Sequence, residues 1–94
     1  MDENNKGIHC IISGKVQGVF YRASTQKMAQ NLTLTGWVSN IPNGNVELKA
    51  FGDNEKLQDL INWLWDGPSG AVVKDIEVNY IELERFNGFV IKYN

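Results

Sequence analysis

The chain has 94 residues, of which 43% are hydrophobic and 21% are charged, and its formal net charge is −2. A chain of this size buries roughly 60–65% of its unfolded surface, so we expect one globular domain over residues 1–94. The negative charge argues against a nucleic-acid partner, because phosphate backbones bind basic surfaces. The sequence shows no signal segment and no apolar run of membrane-spanning length. Its single cysteine cannot form an internal disulfide, which fits a reducing compartment. We therefore predict a cytoplasmic monomer that does not bind membranes.

Two elements joined by a loop are predicted in the first third of the chain. Residues 8–13 alternate in the manner of a strand, and two glycines interrupt the pattern within residues 14–19. Residues 21–32 favour a helix. The side chains predicted to share the buried face of the strand are Ile8, Cys10 and Ile12. The buried stripe of the helix is predicted to comprise Thr25, Ala29 and Leu32.

A pair of strands joined by a tight turn is predicted next. Residues 35–41 and 45–51 each favour an extended strand, and Trp37 and Val38 in the first are expected core residues. Asn43-Gly44 lies between the two strands, and both residues accept the positive φ that a hairpin turn requires. The sequence therefore predicts a β-hairpin at this point.

The rest of the chain predicts a second helix and two further strands. Asp53 is a suitable N-cap for the helix, and Gly67-Pro68 is a stop signal. Leucine and isoleucine recur between them at helical spacing, at positions 57, 60, 61 and 64. Apolar residues alternate over residues 76–80 and again over residues 89–93, which predicts a fourth strand and a short fifth one.

The predicted order, βαββαβ with a short extra C-terminal strand, defines the fold class. Two strand–helix–strand halves joined by a hairpin pack as a mainly antiparallel sheet with both helices on one face. We therefore predict an α+β, ferredoxin-like sandwich. The fold by itself predicts no function, because a common fold hosts many unrelated activities.

Common catalytic and metal-binding constellations are absent from the sequence. His9 and Cys10 are neighbours on the first predicted strand, so their side chains point to opposite faces and cannot form a dyad. One histidine and one cysteine also cannot make a zinc site of ordinary composition. We expect an exposed His9, a Cys10 that fills the core, no metal and no cofactor.

The segment between the first strand and the first helix is the candidate functional segment. Residues 4–46 contain four basic residues and no acidic ones, whereas residues 47–94 contain nine acidic and five basic ones. A glycine loop that enters a helix points backbone N–H groups at one spot, where the helix dipole favours an anion. Arg22 in the first turn opposes that dipole but suits bidentate binding of a phosphate. From spacing alone, an ordinary turn is the alternative interpretation.

Two motifs in the sequence resemble those of the acylphosphatase family. The first is Gly-Lys-Val-Gln-Gly-Val-Phe-Tyr-Arg at residues 14–22. The second is Gly-Trp-Val-Ser-Asn at residues 36–40, followed by Asn-Gly-Asn-Val-Glu at residues 43–47. The resemblance spans residues 8–93, and the two motifs occur in the order that the family has.

The resemblance implies a metal-independent hydrolase for a small-molecule acyl phosphate, which it splits into a carboxylate and inorganic phosphate. The Arg22 guanidinium and the loop amides would bind the phosphate, and the Asn40 side chain would orient the attacking water. The loop residues concerned are Val16, Gln17, Gly18, Val19, Phe20 and Tyr21. A carboxylate leaves as a stable anion, so this chemistry requires no general acid.

Two positions depart from the pattern of the family. Tyr21 stands where the family usually has phenylalanine, and its added hydroxyl needs water or a partner. Ser39 replaces what is often a long basic or amide side chain, which removes a cation that would attract the substrate. Neither departure touches the two predicted catalytic residues, Arg22 and Asn40.

Other interpretations stay open at this point. A non-catalytic module that binds phosphate or a phosphorylated metabolite would use the same loop, and acylphosphatase-like domains occur within a larger hydrogenase-maturation protein. A start at Met1 and an end just after the last predicted strand favour an independent enzyme. RNA binding would call for exposed aromatic residues and a basic face, whereas the first strand offers His9, Ile11 and Ser13. Asn40 has a simpler interpretation as the residue that begins the hairpin.

Overall fold

The computed structural model describes residues 4–93, so the acidic residues Asp2 and Glu3 lie outside the described residues. The secondary structure elements in that range follow the predicted order. They are β1 (Asn5–Lys15), α1 (Tyr21–Asn31), β2 (Thr35–Asn40), β3 (Val46–Asp53), α2 (Asn54–Asp66), β4 (Val72–Ile81) and β5 (Phe89–Ile91). Within the described range, neither helix has the length and the apolar character needed to cross a membrane.

The strands form one mixed sheet in the order β4-β1-β3-β2-β5. Neighbouring strands run antiparallel, except β2 and β5, which run parallel. The register of β1 and β3 places Ile8 opposite Ala50 and Cys10 opposite Leu48, so these four side chains share one face of the sheet. This arrangement confirms the predicted ferredoxin-like fold with an additional C-terminal strand.

The hydrophobic core lies between that face of the sheet and the two helices. The helix residues buried in it are Tyr21, Thr25, Ala29, Leu57, Leu60 and Leu64. Thr25 and Ala29 were predicted, but Leu32 is only half-buried because it lies at the C-cap, where α1 ends. Tyr21, one turn before Thr25, completes the stripe instead. The core therefore holds the N-terminus of α1 firmly against the sheet.

The opposite face of the sheet is not covered by a helix and carries both polar and aromatic side chains. The side chains of His9 and Glu47 are hydrogen-bonded there, with 2.7 Å between Nε2 and Oε2. His9 is thus half-buried and paired rather than exposed as predicted, because Glu47 stands on the neighbouring strand. Trp37 also lies on this face and is buried beneath the Lys92 ammonium, which is 4.3 Å from the centroid of the aromatic ring.

Two strands, β1 and β4, are longer than predicted because they pair with each other beyond a bulge. Gly14 and Lys15, which were predicted in the loop, continue β1 and lie opposite Val73 and Val72. The register shifts between Ser13 and Gly14, and Gly14 has a φ of 125°. A Cβ at Gly14 would stand 2.1 Å from the Val72 carbonyl oxygen, so this close approach requires glycine.

Candidate active site

The β1–α1 loop, residues 16–20, is turned by two positive φ angles, 76° at Gly18 and 63° at Phe20. Phe20 is the N-cap of α1, and no side chain caps the first turn of the helix. Within residues 4–93, nothing accepts a hydrogen bond from the N–H groups of Gly18, Val19 or Phe20. The loop thus presents open donors at the positive end of the helix, an arrangement that binds anions.

Arg22 lies in the first turn of α1 and is half-buried. Its guanidinium carbon is 5.1 Å from the centroid of the Tyr93 ring, so one face of the cation rests on an aromatic ring. Arg22 forms no salt bridge with a described carboxylate. No described carboxylate therefore neutralises the guanidinium, and its planar fork is available for an oxyanion.

Asn40 is the last residue of β2, and the alternation of side chains along the strand places it on the helix-facing side together with Val38. Ser39 points to the opposite face, where it is buried and its hydroxyl donates to the Asn40 carbonyl oxygen at 3.1 Å. The end of β2 thereby brings the Asn40 side chain to the cavity that also contains Arg22.

A cavity of about 300 Å³ unites most of the predicted site residues. It is lined by Val16, Gly18, Phe20, Tyr21, Arg22, Ala23, Asn40, Ile91 and Tyr93. None of the lining residues is acidic, so the acid-free segment of the sequence forms an environment that suits a small anion. The predicted residues Gln17 and Val19 are not part of the lining.

Gln17 instead joins the β1–α1 loop to the turn that follows Asn40. Its amide nitrogen donates to the carbonyl oxygens of Ile41 at 2.9 Å and Asn45 at 2.8 Å. The turn forms at the predicted residues, with the N–H of Gly44 donating to the Ile41 carbonyl at 3.1 Å. Gly44 has the expected positive φ, 93°, but Asn43 does not. Val19 packs against the hydrophobic core. Both residues therefore hold the loop in place.

Two buried weak acids, Tyr21 in the cavity lining and Cys10 in the core, are held in their protonated forms. The Tyr21 hydroxyl donates to the Leu64 carbonyl oxygen at 2.6 Å, which supplies the partner that this hydroxyl was predicted to need. Burial, with a further contribution from Cys10, raises the pKa of Tyr21 well above its usual value. Burial also raises the pKa of the Cys10 thiol to about 12. Neither group is therefore an activated nucleophile near neutral pH.

Ala23, Ile91 and Tyr93 also line the cavity, although no sequence pattern predicted them as site residues. Because β5 runs parallel to β2 with Ile91 opposite Val38, the C-terminal segment passes alongside the helix-facing end of β2. The alternation over residues 89–93 had placed Ile91 and Tyr93 on one face of a strand. It could not show that this strand lies next to Asn40, because that depends on the order of the strands in the sheet.

The chemical groups that surround the cavity suit an oxyanion rather than a cation. They are one guanidinium, one carboxamide and a set of backbone N–H groups. Within the described part of the chain, no three His, Cys, Asp or Glu side chains form a group that could hold a metal ion. The fold and the cavity together define a ferredoxin-like α+β protein with a loop of open N–H donors between its first strand and first helix.

Comparisons with known proteins assign the family. The acylphosphatase family model matches residues 8–91. An acylphosphatase of Coxiella burnetii (strain Dugway 5J108-111) is 43% identical over 91 residues, which are 97% of this chain and 96% of the relative. The solved structure of an acylphosphatase from Coxiella burnetii has a TM-score of 0.93 at 43% identity and covers 96% of this chain and 95% of its own. The acylphosphatase of Bacillus subtilis has a TM-score of 0.92 at 35% identity, with 94% and 99% covered.

The chain belongs to the acylphosphatase family, and its function is that of an acylphosphatase. The resemblance that the two sequence motifs carried is thus confirmed over nearly the whole chain. The non-catalytic binding module is not favoured by these relatives, which are named as enzymes.

Proposed function

We propose that the cavity between the β1–α1 loop and Asn40 hydrolyses acyl phosphates without a metal, in a monomeric cytoplasmic protein whose residues 1–94 form one domain. The observation that carries the proposal is that Arg22, the open loop amides and Asn40 surround a single cavity whose lining contains no acidic residue. A dianionic phosphate has no carboxylate to repel it there. The donors around the cavity match the oxygens of a phosphate.

The phosphate of the substrate binds to the β1–α1 loop and to Arg22. Backbone N–H groups from Val16 to Tyr21 donate to the phosphate oxygens, and the positive end of α1 adds to the attraction. The Arg22 guanidinium donates two parallel hydrogen bonds to the same group. These donors also stabilise the charge that spreads over the equatorial oxygens in the transition state of phosphoryl transfer.

Asn40 holds the attacking water in line with the bond that breaks. The water oxygen forms a bond to phosphorus while the bond between phosphorus and the carboxyl oxygen breaks, and its electron pair leaves with the carboxylate. The proton of the water goes to the substrate phosphate, because a carboxamide is too weak a base to take it. The reaction gives RCOO⁻ and H₂PO₄⁻ from the dianionic acyl phosphate and water.

The chemistry needs neither a general acid nor a metal. A carboxylate leaving group has a pKa of about 4, so it departs as a stable anion without a proton. Phosphoryl transfer through a loose transition state depends chiefly on positioning and on stabilisation of oxygen charge. Arg22 and the loop amides supply both functions that Mg²⁺ serves in many phosphoryl-transfer enzymes.

The experiment that tests the proposal is benzoyl phosphate hydrolysis in EDTA by the wild type, Arg22→Ala and Asn40→Ala, after circular dichroism has shown that each variant is folded. We expect rapid turnover by the wild type. We expect kcat/KM to fall about 10³-fold in Arg22→Ala, the size found when a phosphate-binding arginine is removed. We expect a fall of about 10²-fold in Asn40→Ala, because the attacking water is no longer positioned.

Matched controls are Arg85→Ala and Asn79→Ala, which remove the same side chains from exposed positions outside the cavity. Both controls are expected to keep the activity of the wild type. Hydrolysis by the wild type that is no faster than the spontaneous reaction would overturn the proposal. Calorimetric binding of inorganic phosphate that is lost in Arg22→Ala would then indicate a binding module.

A further inference from the structure

Three features of Phe20 are unusual for a phenylalanine: its backbone conformation, its place at a helix N-cap and the exposure of its side chain. It has a φ of 63° and a ψ of 25°, a left-handed conformation that a bulky side chain rarely adopts. It is the N-cap of α1, where a residue with a side-chain oxygen is favoured. Its side chain is 82% exposed, so packing in the core does not account for it either. A large apolar side chain placed in this way at the mouth of a cavity points to a ligand.

Tyr93 presents a second aromatic ring at the same cavity. One side of the ring lies over the Arg22 guanidinium, yet 75% of the residue is exposed. Ile91, two residues earlier, also lines the cavity, packs against the core and is half-buried. We call Phe20, Ile91 and Tyr93 the apolar rim.

The cavity thus has two chemically different parts. Arg22, Asn40 and the N–H groups of the loop form a polar part, whereas the apolar rim offers two exposed aromatic rings and one aliphatic side chain. An acyl phosphate has the same division, with a charged phosphate at one end and an acyl group at the other. With the phosphate on Arg22, the acyl group is directed to the rim.

We propose that the apolar rim binds the acyl group and makes the protein selective for aromatic and other bulky apolar acyl phosphates over small ones such as acetyl phosphate. The inference rests on the proposed function, because it assigns the substrate class of the same site. An aromatic acyl group buries apolar area against the rim and contacts the rings of Phe20 and Tyr93. An acetyl group offers only one methyl group to the same surface.

The test compares the kcat/KM of benzoyl phosphate with that of acetyl phosphate, in the wild type and in Phe20→Asn. Asparagine accepts the left-handed conformation and is a good N-cap, so the variant is expected to fold. The ratio of the two kcat/KM values is expected to fall about fivefold to tenfold in the variant, the effect of one lost aromatic contact. Comparing ratios removes the difference in intrinsic reactivity between the two substrates.

Leu83→Asn is the matched control, because Leu83 is an exposed apolar residue, 53% accessible, outside this cavity. It is expected to leave both substrates and their ratio unchanged. Turnover of both substrates with an unchanged ratio in Phe20→Asn overturns the role of the rim and leaves the proposed function intact. A wild type that hydrolyses neither substrate overturns the proposed function itself.

A binding measurement keeps the inference testable if Phe20→Asn has no measurable turnover. Benzylphosphonate and methylphosphonate are titrated into the wild type by calorimetry. The wild type is expected to bind benzylphosphonate about tenfold more tightly. Equal affinities for the two phosphonates in the wild type overturn the inference without any variant.

Discussion

The two strand-to-helix junctions occupy equivalent places in the two halves of the fold, but they are built differently. At the β3–α2 junction, Asp53 is the N-cap, and its carboxylate accepts hydrogen bonds from the N–H groups of Glu55 at 3.1 Å and Lys56 at 3.4 Å. Glu55 also places a negative charge in the first turn of α2, at the positive end of the helix dipole. This junction therefore has a capping side chain and an acidic first-turn residue, both of which stabilise a helix start.

The β1–α1 junction has neither feature. Its N-cap, Phe20, has no side-chain oxygen and lies in the left-handed region, and the first turn contains no acidic residue. The missing cap costs about 1 kcal/mol, and the left-handed conformation of a non-glycine residue costs on the order of 1–3 kcal/mol. Arg22 adds a positive charge at the positive end of the dipole, which costs about 0.3–1 kcal/mol more.

The comparison shows that local stability is lower at the β1–α1 junction than at the β3–α2 junction. A capped helix start has its N–H donors occupied, so it cannot offer them to a ligand. The β1–α1 junction keeps its donors open, and burial of Tyr21 and Thr25 in the core holds α1 in place instead. Breaks in local consistency are expected at functional sites, and here they coincide with the cavity.

The largest effect is expected from removing the hydrogen bonds that join the β1–α1 loop to the β2–β3 turn. This change leaves the backbone N–H donors of the loop intact. In Gln17→Met, the hydrogen bonds to the carbonyls of Ile41 and Asn45 are lost, while size and shape are nearly kept. We expect kcat to fall about 30-fold, since small displacements of positioned groups have effects of this order. KM is expected to change less, because Arg22 and the loop amides still bind the phosphate.

Gln58→Met is the matched control for this prediction. Gln58 also donates a hydrogen bond, to the Tyr80 hydroxyl at 2.8 Å, but on the exposed side of α2. Steady-state kinetics with benzoyl phosphate should give wild-type values for this control. A Gln17→Met variant that is less stable yet retains its kcat would show that Gln17 supports the fold only.

A second change tests how α1 is held in the absence of a cap. In Tyr21→Phe, the Leu64 carbonyl near the end of α2 loses its hydrogen bond while the ring remains in the core. We expect the free energy of unfolding to fall by about 1.5 kcal/mol, the cost of leaving a buried carbonyl without its donor. Urea unfolding followed by circular dichroism measures it, and an unchanged midpoint would contradict this role of the hydroxyl.

Local patterns predicted the elements because their causes are local. Periodicity placed α1 at residues 21–32 against the observed Tyr21–Asn31, and turn chemistry placed the hairpin at Asn43-Gly44. The Asp53 cap was also confirmed, since a cap involves only neighbouring residues. These interactions span a few positions in the chain, so the sequence carries them directly.

Interactions between distant segments were not predictable in the same way. The Gln17 side chain meets a turn 24 and 28 residues away, and nothing in its own neighbourhood indicates that target. Tyr93 lies over Arg22 only because β5 adds to the sheet beside β2. Arg22 and Asn40 could be placed in one site from sequence because the family resemblance supplied the long-range information that local patterns lack.

The mildest change tests the capped junction. In Asp53→Ala, two N–H groups of α2 lose their acceptor, and the free energy of unfolding should fall by about 1 kcal/mol. Asp59→Ala, an exposed acid in the middle of the same helix, is the control and should change the stability little. Because Asp53 lies outside the cavity, Asp53→Ala should hydrolyse benzoyl phosphate at the rate of the wild type. A loss of activity at unchanged stability would show that the capped junction affects the site. That result would contradict the separate roles of the two junctions.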